Sequence, residues 1–495
     1  MANANKPQRF ILMPPRGLTT AAATGNRHLS SFMRTLAAGP TVARSRAGAP
    51  RGNVMRVLDS VHENGLKLVE MSENERLSLR EAHPGLRIVP EVFYKTAQVP
   101  RAKIVSKVRT AAGALAAGIT LKVVSSVDGS PVAKADVVAF TDFAQQIGAS
   151  GKTRADGTVS LSLGGSGRIQ RLYVYPHLGF WPLLKKNLNI PVTTPIKLLP
   201  IVTGYVDVLQ QFRKSASGGT GKGVKVAIVD TGCGPHPDLV IAGGFNAVLG
   251  QDPNDFADNG DQHGTHVAGI VGARGTSPAG MRGFAPEAEI RAYRVFAKGQ
   301  GASNFAIVKA IDRAIADGCD LINMSLGGGP ADPATSGAIA DARAAGVAVI
   351  CASANDGENQ VAQPAADSRA VAVGAFGRVG TYPAGTATAD QIGRRGNPDS
   401  SYFVGKFSNY GPEIDLIGPG VGIISTVPAN GYAVMDGTSM ATPAVTGMIA
   451  RLLSTSSARS ASRNQARSDN ILTLAYQATR EFGFGQIYEG HGWIK

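Results

Sequence analysis

Three residues far apart in the chain could together turn a serine hydroxyl into a nucleophile. They are Asp230 in Val-Ala-Ile-Val-Asp-Thr-Gly-Cys-Gly, His263 in Gln-His-Gly-Thr-His-Val-Ala-Gly, and Ser439 in Gly-Thr-Ser-Met-Ala-Thr-Pro-Ala-Val-Thr-Gly. A hydroxyl is too weak an acid to attack a carbonyl unaided; it needs an imidazole to take its proton and a carboxylate to orient that imidazole. The chemistry such a set supports is acyl transfer through a covalent ester. Taken singly, an aspartate at a strand end is a turn former, a histidine beside glycine is a packed or solvated ring, and a serine ahead of a helix is an N-cap. The joint occurrence of three extended blocks is what argues for a site.

Each block also implies the element that must hold its residue. Lys225–Val229 is a short apolar run rich in β-branched residues, so Asp230, before Thr231-Gly232, lies where a buried strand breaks into a turn. His263 precedes Gly264-Thr265-His266-Val267-Ala268-Gly269, small residues that open a closely packed helix, with His266 on another of its faces. Ser439 precedes an apolar stretch through Ile449 and Leu453, with Pro443 suited to a first helical turn. A helix N-terminus there points N–H groups and the helix dipole at an anion. A further buried strand, Val347–Cys351, runs on into Asn355.

These strings, from Tyr205 to the C-terminus, resemble the subtilase family of subtilisin-like serine proteases, which share this chain order of acid, base and nucleophile. The resemblance implies an α/β catalytic domain, a parallel sheet flanked by helices, with Asp230, His263 and Ser439 as the triad. Asn355 would be the oxyanion-hole amide, acting beside the backbone N–H of Ser439. It also implies two edge segments, at Gly299 and Gly301 and at Ser325, Leu326 and Gly327, that take an extended peptide as an added strand. Ala352 and Ala354 would flank the pocket for the residue before the cut. Ala354 departs from the family, which usually carries glycine there, and its methyl would narrow that pocket. The plainer alternatives are a turn at Gly299–Gly301 and a flexible loop at Gly327–Gly329.

Two regions precede this part. Arg9–Met13, Lys67–Met71 and Leu86–Tyr94 read as strands, and Ser72-Glu73-Asn74-Glu75 opens a helix through Ala82 that Pro84-Gly85 stops. This small α+β pattern resembles the subtilase propeptide, a folding chaperone that caps the active site, with Glu91 to Val99 as a tail for the cleft. An autoprocessing cut would follow that tail. Thr120–Val124, Val137–Phe140, Thr158–Leu163 and Leu172–Tyr175 alternate like strands between Asp-Gly and Gly-Gly turns. With Gly129-Ser130-Pro131-Val132 and Thr153-Arg154-Ala155-Asp156-Gly157-Thr158 they resemble a transthyretin-like or carboxypeptidase-regulatory-like β-sandwich. The expected layout is a propeptide-like domain with a basic linker over 1–110, the sandwich over 111–202 and the catalytic domain over 203–495.

The formal charge of +14 over 495 residues gathers early, at Arg44, Arg46, Arg51, Arg56, Arg101, Lys103, Lys107 and Arg109. No aromatic interleaving or nucleic-acid module accompanies it, so it reads as solvated tail and linker, not as a nucleic-acid surface. No stretch approaches the roughly 20 uninterrupted apolar residues of a membrane span. Phe10–Met13 is too short for a secretory core, and Cys233, Cys319 and Cys351 make no disulfide framework. The expectation is a reducing, cytoplasmic setting.

No cofactor is expected for catalysis. Asp238, in Pro235-His236-Pro237-Asp238-Leu239, resembles a family position that helps ligate a structural calcium, but calcium wants about 6–8 oxygens and Arg274–Gly280 lacks the acids and amides to supply them. Asp252, Asp255, Asp258 and Asp261 read as an acidic surface loop. The expected activity is a serine endopeptidase made as a zymogen. Its partners would be a polypeptide substrate and its own N-terminal region as intramolecular chaperone and inhibitor. A self-inhibited, self-processing peptide-binding regulator, and a transpeptidase that resolves the acyl-enzyme with an amine, remain as alternatives.

Overall fold

A computed structural model of the chain describes residues 6–14, 27–37, 55–107, 118–164, 166–276 and 279–495; Arg44, Arg46, Arg51 and Arg109 lie outside them. The first elements are β1 (Gln8–Met13), α1 (Arg27–Ala37), β2 (Arg56–Ser60), β3 (Lys67–Met71), α2 (Glu73–Ala82), β4 (Arg87–Pro90) and β5 (Phe93–Thr96). The start of α2 is a capping box: Ser72 Oγ accepts from the Glu75 N–H, and the Glu75 carboxylate accepts from the Ser72 N–H at 2.7 Å. The sequence reading leaves out α1, although Leu29, Phe32, Met33 and Leu36 carry the i, i+3, i+4, i+7 spacing of a helix face. It also draws one strand over Leu86–Tyr94 where there are two, because β5 leaves this sheet for another.

The sheet order is β2-β3-β1-β4, and alternation along its strands serves two cores. Phe10, Leu12, Val69 and Met71 pack with Met33 and Leu36 of α1. Ile11, Met13 and Leu68 turn the other way and join the core of the catalytic region.

Next come β6 (Ser106–Lys107), β7 (Gly118–Ser125), β8 (Asp136–Asp142), β9 (Ile147–Lys152), β10 (Thr158–Ser162), β11 (Arg168–Tyr175), β12 (Leu183–Asn189) and β13 (Ile196–Leu198). They form two facing sheets, β10-β7-β13 and β12-β11-β8-β9-β6. Inward residues such as Leu121, Val123, Val137, Leu161 and Leu172 fill the space between them.

The remainder is α3 (Val208–Ser215), β14 (Lys225–Asp230), β15 (Ile241–Asn246), α4 (His263–Gly272), β16 (Glu289–Arg294), β17 (Ala302–Ser303), α5 (Asn304–Ala316), β18 (Leu321–Met324), β19 (Leu326–Gly327), α6 (Pro333–Ala344), β20 (Ala348–Ala352), β21 (Val371–Arg378), β22 (Ile392–Arg395), β23 (Tyr402–Gly405), β24 (Leu416–Pro419), β25 (Ile423–Val427), β26 (Gly431–Met435), α7 (Thr438–Ser454) and α8 (Gln465–Gln477). Helices flank a nine-stranded sheet ordered β15-β16-β14-β18-β20-β21-β23-β22, with β24 also on β21. The pairs from β15 to β21 and the β21–β24 pair are parallel, while β23 and β22 run antiparallel at one edge. The sheet is therefore mixed, not purely parallel. Its central strands are covered on both faces, which is why β18 and β20 are buried along their whole length. Among the described residues no helix is long and apolar enough to cross a membrane.

The N-terminal unit is seated on α5. Lys309 Nζ lies 2.7 Å from Asp59 Oδ2, His62 Nε2 lies 2.9 Å from Asp312, and Ser303 Oγ donates to Glu91 Oε1 at 2.6 Å. The buried Met13, Ile11 and Leu68 lie behind this polar rim.

Candidate active site

The carboxylate that ends β14 and the imidazole that begins α4 meet beyond the C-terminal edge of the parallel strands, where open α/β sheets place their ligands. Asp230 Oδ1 and His263 Nδ1 are 2.7 Å apart and both side chains are fully buried. The Thr231 N–H donates to the same oxygen at 2.7 Å, and the Gly264 N–H donates to Thr231 Oγ1 at 2.9 Å. A methyl on Gly264 would stand 2.2 Å from the Gly232 carbonyl oxygen. Only glycine lets the two segments approach this closely.

Burial by itself lowers the proton affinity of the His263 ring. The charge and hydrogen bond of Asp230, with Asp261 and Asp258 beyond, outweigh it and hold His263 above the ordinary histidine value. A base must be neutral to accept a proton, so the acid limb of a kcat/KM profile should lie above that of an unperturbed histidine. Asp261→Asn removes one of those charges at an exposed position. The limb should then move to lower pH by roughly a few tenths of a unit, with the difference fading as salt screens it; pH profiles of both proteins at low and high salt measure this. His266 is pushed down to about 3 by burial and by His263 beside it. Its Nε2 lies 3.2 Å from the carbonyls of Ile423 and Ala433, so it ties α4 to the β25–β26 hairpin.

Ser439 is the second residue of α7. Pro443 falls in the second turn, not in the first as its spacing predicts, because the helix already begins at Thr438. A proline there removes the N–H that would bond the carbonyl four residues back. That carbonyl, of Ser439, instead accepts from Ser325 Oγ at 2.9 Å. The Ser439 hydroxyl donates to the Ser325 carbonyl at 3.0 Å.

Beyond β20, Asn355 is held by its oxygen, which accepts from the Thr438 N–H at 2.8 Å and from Thr438 Oγ1 at 3.1 Å. Among the described residues its Nδ2, the Nε2 of His263 and the second oxygen of Asp230 are buried without a hydrogen-bond partner. Leaving such an atom unpaired costs roughly 1–3 kcal/mol, which a ligand bonding to Asn355 Nδ2 and His263 Nε2 would offset.

The chain's own residues 92–99 cross this site. β5 is the central strand between β17 and β19, with Thr96 opposite Leu326, Lys95 opposite Gly327 and Tyr94 opposite Ala302. The Ala97 N–H donates to the Ser325 carbonyl at 3.1 Å, the Ala97 carbonyl accepts from the Ser439 N–H at 2.9 Å, and the Val99 N–H donates to the Asp436 carbonyl at 3.0 Å. A methyl on Gly437 would stand 2.7 Å from the Ala97 oxygen, so this glycine is what admits the carbonyl. Tyr94 is 1% exposed; its ring lies where a methyl on Gly329 would come within 2.6 Å, and its hydroxyl is 3.5 Å from Asp332 Oδ2.

Of the residues singled out from sequence, Ser325, Leu326 and Gly327 lie directly against this strand, and a methyl on Gly301 would come within 2.9 Å of the Tyr94 oxygen. Gly299 sits in a turn at φ 72° with open space around it. Ala352 is an interior residue of the sheet, paired with Val373. Ala354 has φ 88°, a conformation that favours glycine. The Asp238 carboxylate is occupied by protein donors, the Met281 N–H at 2.8 Å and the Tyr432 hydroxyl at 2.7 Å. No group of three or more metal-ligating side chains occurs among the described residues. This donor set does not fit calcium. Sequence reasoning missed the Asp436 carbonyl, Asp332, and Asn304, whose Oδ1 accepts from the Val92 N–H at 3.2 Å. Asn304 and Asp332 had a signal as residues at the starts of α5 and α6, whereas a backbone carbonyl such as that of Asp436 has none.

A family model described as the subtilase family matches residues 221–485. Alkaline elastase YaB of Bacillus sp. (strain YaB) is 40% identical over 233 residues, which is 47% of this chain and 55% of that protein. Subtilisin BL of Lederbergia lenta is 39% identical over 232 residues, 47% of this chain and 76% of its own length. Subtilisin DY of Bacillus licheniformis is 34% identical over 273 residues, 54% of this chain and 90% of its own. The chain thus spans about half the length of the first of these relatives and most of the other two.

Proposed function

The chain belongs to the subtilase family, and from that premise we propose that it is a serine endopeptidase synthesised with its own inhibitor attached. Ser439 attacks the carbonyl before the cut. His263 takes the hydroxyl proton through Nε2 and returns it to the leaving amine, and Asp230 holds the ring. For the transfer, the Ser439 side chain turns about its Cα–Cβ bond from the Ser325 carbonyl towards the ring. The oxyanion lies between the Ser439 N–H and Asn355 Nδ2, and water then releases the acyl group.

The observation that carries this reading is the Ala97 carbonyl seated on the Ser439 N–H at 2.9 Å, with backbone pairing on both sides of it. In this reading the first bond cut is Ala97–Gln98. The units are then the inhibitor, the sandwich and the catalytic domain, with the cut falling inside the first of the expected boundaries. Mass spectrometry of the purified chain, with a fluorophosphonate label on Ser439, tests it. A new N-terminus at Gln98 together with labelling supports a protease; an uncut chain that labels only after residues 1–97 are removed supports the self-inhibited regulator.

The tail also proposes the substrate class: a small residue before the cut, as Ala97 is, and an aromatic three residues earlier, as Tyr94 is. Ala354→Gly relieves a conformation that costs an L-residue on the order of 1 kcal/mol. It should raise thermal stability and increase cleavage after residues larger than alanine, measured by melting and by a panel of peptides varied at that position. No calcium is assigned to Asp238.

A further inference from the structure

We propose that the β-sandwich is a clamp for the leaving-group side of the cleft, and that after the Ala97–Gln98 bond is cut it keeps residues Gln98–Lys107 bound there. The processed enzyme would then favour substrates that extend little beyond the cut bond. This rests on the protease reading above.

Beyond Ala97 the chain keeps close to the protein, although Pro100, Arg101, Lys103 and Val105–Lys107 are exposed along their outer side. It runs from the cleft onto the outer face of the sandwich. The Val99 N–H is held by the Asp436 carbonyl at 3.0 Å, and the Ala102 N–H donates to the Tyr175 hydroxyl at 3.2 Å. Arg101 lies 2.5 Å from Asp136 and 5.4 Å over the Tyr175 ring. The Val105 N–H donates to the Gln146 carbonyl at 3.1 Å, and Ser106–Lys107 add to β9 as a parallel edge strand.

The face that receives this segment is apolar for a reason the sandwich core does not supply. Val138, Phe140, Tyr173, Tyr175 and Leu184 point away from that core, and Ala102, Ile104 and Ala387 cover them. A sheet exposed to water on one face would carry polar residues there. Here the outer face is built to be covered by residues 102–104 and by the catalytic region.

The sandwich itself is fixed to the catalytic region by bonds that cutting Ala97–Gln98 would leave intact. The Gly179 N–H donates to the Tyr432 carbonyl at 2.8 Å, the Leu184 N–H to Gly385 at 3.0 Å, and the Ala387 N–H to Pro182 at 2.9 Å. Trp181 is buried with its ring 5.2 Å from Tyr205. Asp390 gathers Arg171 and Lys186 from the sandwich and Lys406 from its own side. One loop reaches the catalytic centre, where His177 Nε2 lies 3.2 Å from Gln262 Nε2, next to His263 in the chain.

A segment tethered in this way competes at an effective concentration in the millimolar range, which a peptide substrate at lower concentration does not match. Two substrates separate the effects. Tyr-Lys-Thr-Ala p-nitroanilide fills the acyl side and places only its aniline beyond the cut, and Tyr-Lys-Thr-Ala-Gln-Val-Pro-Arg-Ala fills both sides. Any residual 1–97 fragment blocks the acyl side and lowers both rates together, so the ratio of the two kcat/KM values is the readout. In the full chain after processing, I104D combined with R101E should raise the ratio of peptide to anilide roughly tenfold, a weakening of the tethered ligand by about 1.4 kcal/mol. Y175F, which removes only the hydroxyl that accepts from Ala102, should move it in the same direction by less. An unchanged ratio in both variants, with the anilide still hydrolysed, overturns the clamp. An anilide that no variant or wild type hydrolyses overturns the protease reading, and the clamp with it.

Discussion

Replacing Ser439 by alanine should abolish turnover, lowering kcat on the order of 10⁶-fold, the loss seen when subtilisin gives up its nucleophile. It should also leave the full-length chain uncut at Ala97–Gln98. The fold has little to lose: the hydroxyl makes one hydrogen bond, to the Ser325 carbonyl, and such a bond is worth about 1 kcal/mol. The Ser439 N–H that receives Ala97 belongs to the backbone and survives the change. The variant should therefore melt close to wild type and elute as one species of intact mass. Intact-mass measurement after expression in a protease-deficient host decides it. A chain still cleaved between Ala97 and Gln98 would show that another protease makes the cut and would remove the main support for self-processing.

Asn355→Ala should have the next largest effect. Its Nδ2 is buried and unpaired while its oxygen is fastened to Thr438. Such a donor costs energy in the resting protein and regains it only when an oxyanion forms. Because the interaction strengthens with developing charge, kcat should fall about 10²- to 10³-fold, or about 2.7–4 kcal/mol, with KM changed far less; the range is that measured for a donor of this kind in subtilisin. The cut at Ala97–Gln98 should slow in proportion and still go to completion over long incubation. A drop in KM-dependent binding with kcat preserved would instead make Asn355 a positioning residue for Thr438 and the start of α7.

In the proposed reading, the clamp and the N-terminal unit as inhibitor bear on one another. The N-terminal unit is attached to the catalytic region through α5, with Lys309 on Asp59 and the buried Met13 and Ile11 behind it. The sandwich is attached near the β25–β26 hairpin, through Tyr432 and through Trp181 against Tyr205. The two anchor points lie on either side of one peptide bond. In the proposed reading, cutting that bond lets the acyl-side fragment leave while the other half stays in place.

Much of this was legible from residue order alone. The α2 capping box, the buried strand ending in Asp230, the helix opening at His263 and the strand leading to Asn355 are local signals, set by a few neighbouring side chains and their hydrogen bonds. Where local signals were read too simply, the structure departs from them. The run at Leu86–Tyr94 breaks in two because Thr96 and Lys95 pair with Leu326 and Gly327, partners more than two hundred residues away. Pro443 sits a turn deeper than its spacing predicts because α7 already begins at Thr438, and Ser325, between β18 and β19, satisfies the carbonyl it frees. Asp238 reads as a calcium ligand until the Tyr432 hydroxyl and the Met281 N–H are seen to share its Oδ2.

Residue types alone name the chemical parts, because a nucleophile, a base and an orienting acid are particular side chains and each needs a recognisable turn, helix start or strand end. The resemblance already places a tail over Glu91 to Val99 in the cleft, but its register there and the face that flanks it emerge only from packing. The seat of Ala97 on the Ser439 N–H, the Asp436 carbonyl on Val99, and the apolar outer face of the sandwich beneath Ile104 depend on backbone groups and on which faces meet. Backbone N–H and carbonyl groups are the same at every position but proline, so their pairing across hundreds of residues leaves no mark on the order of side chains.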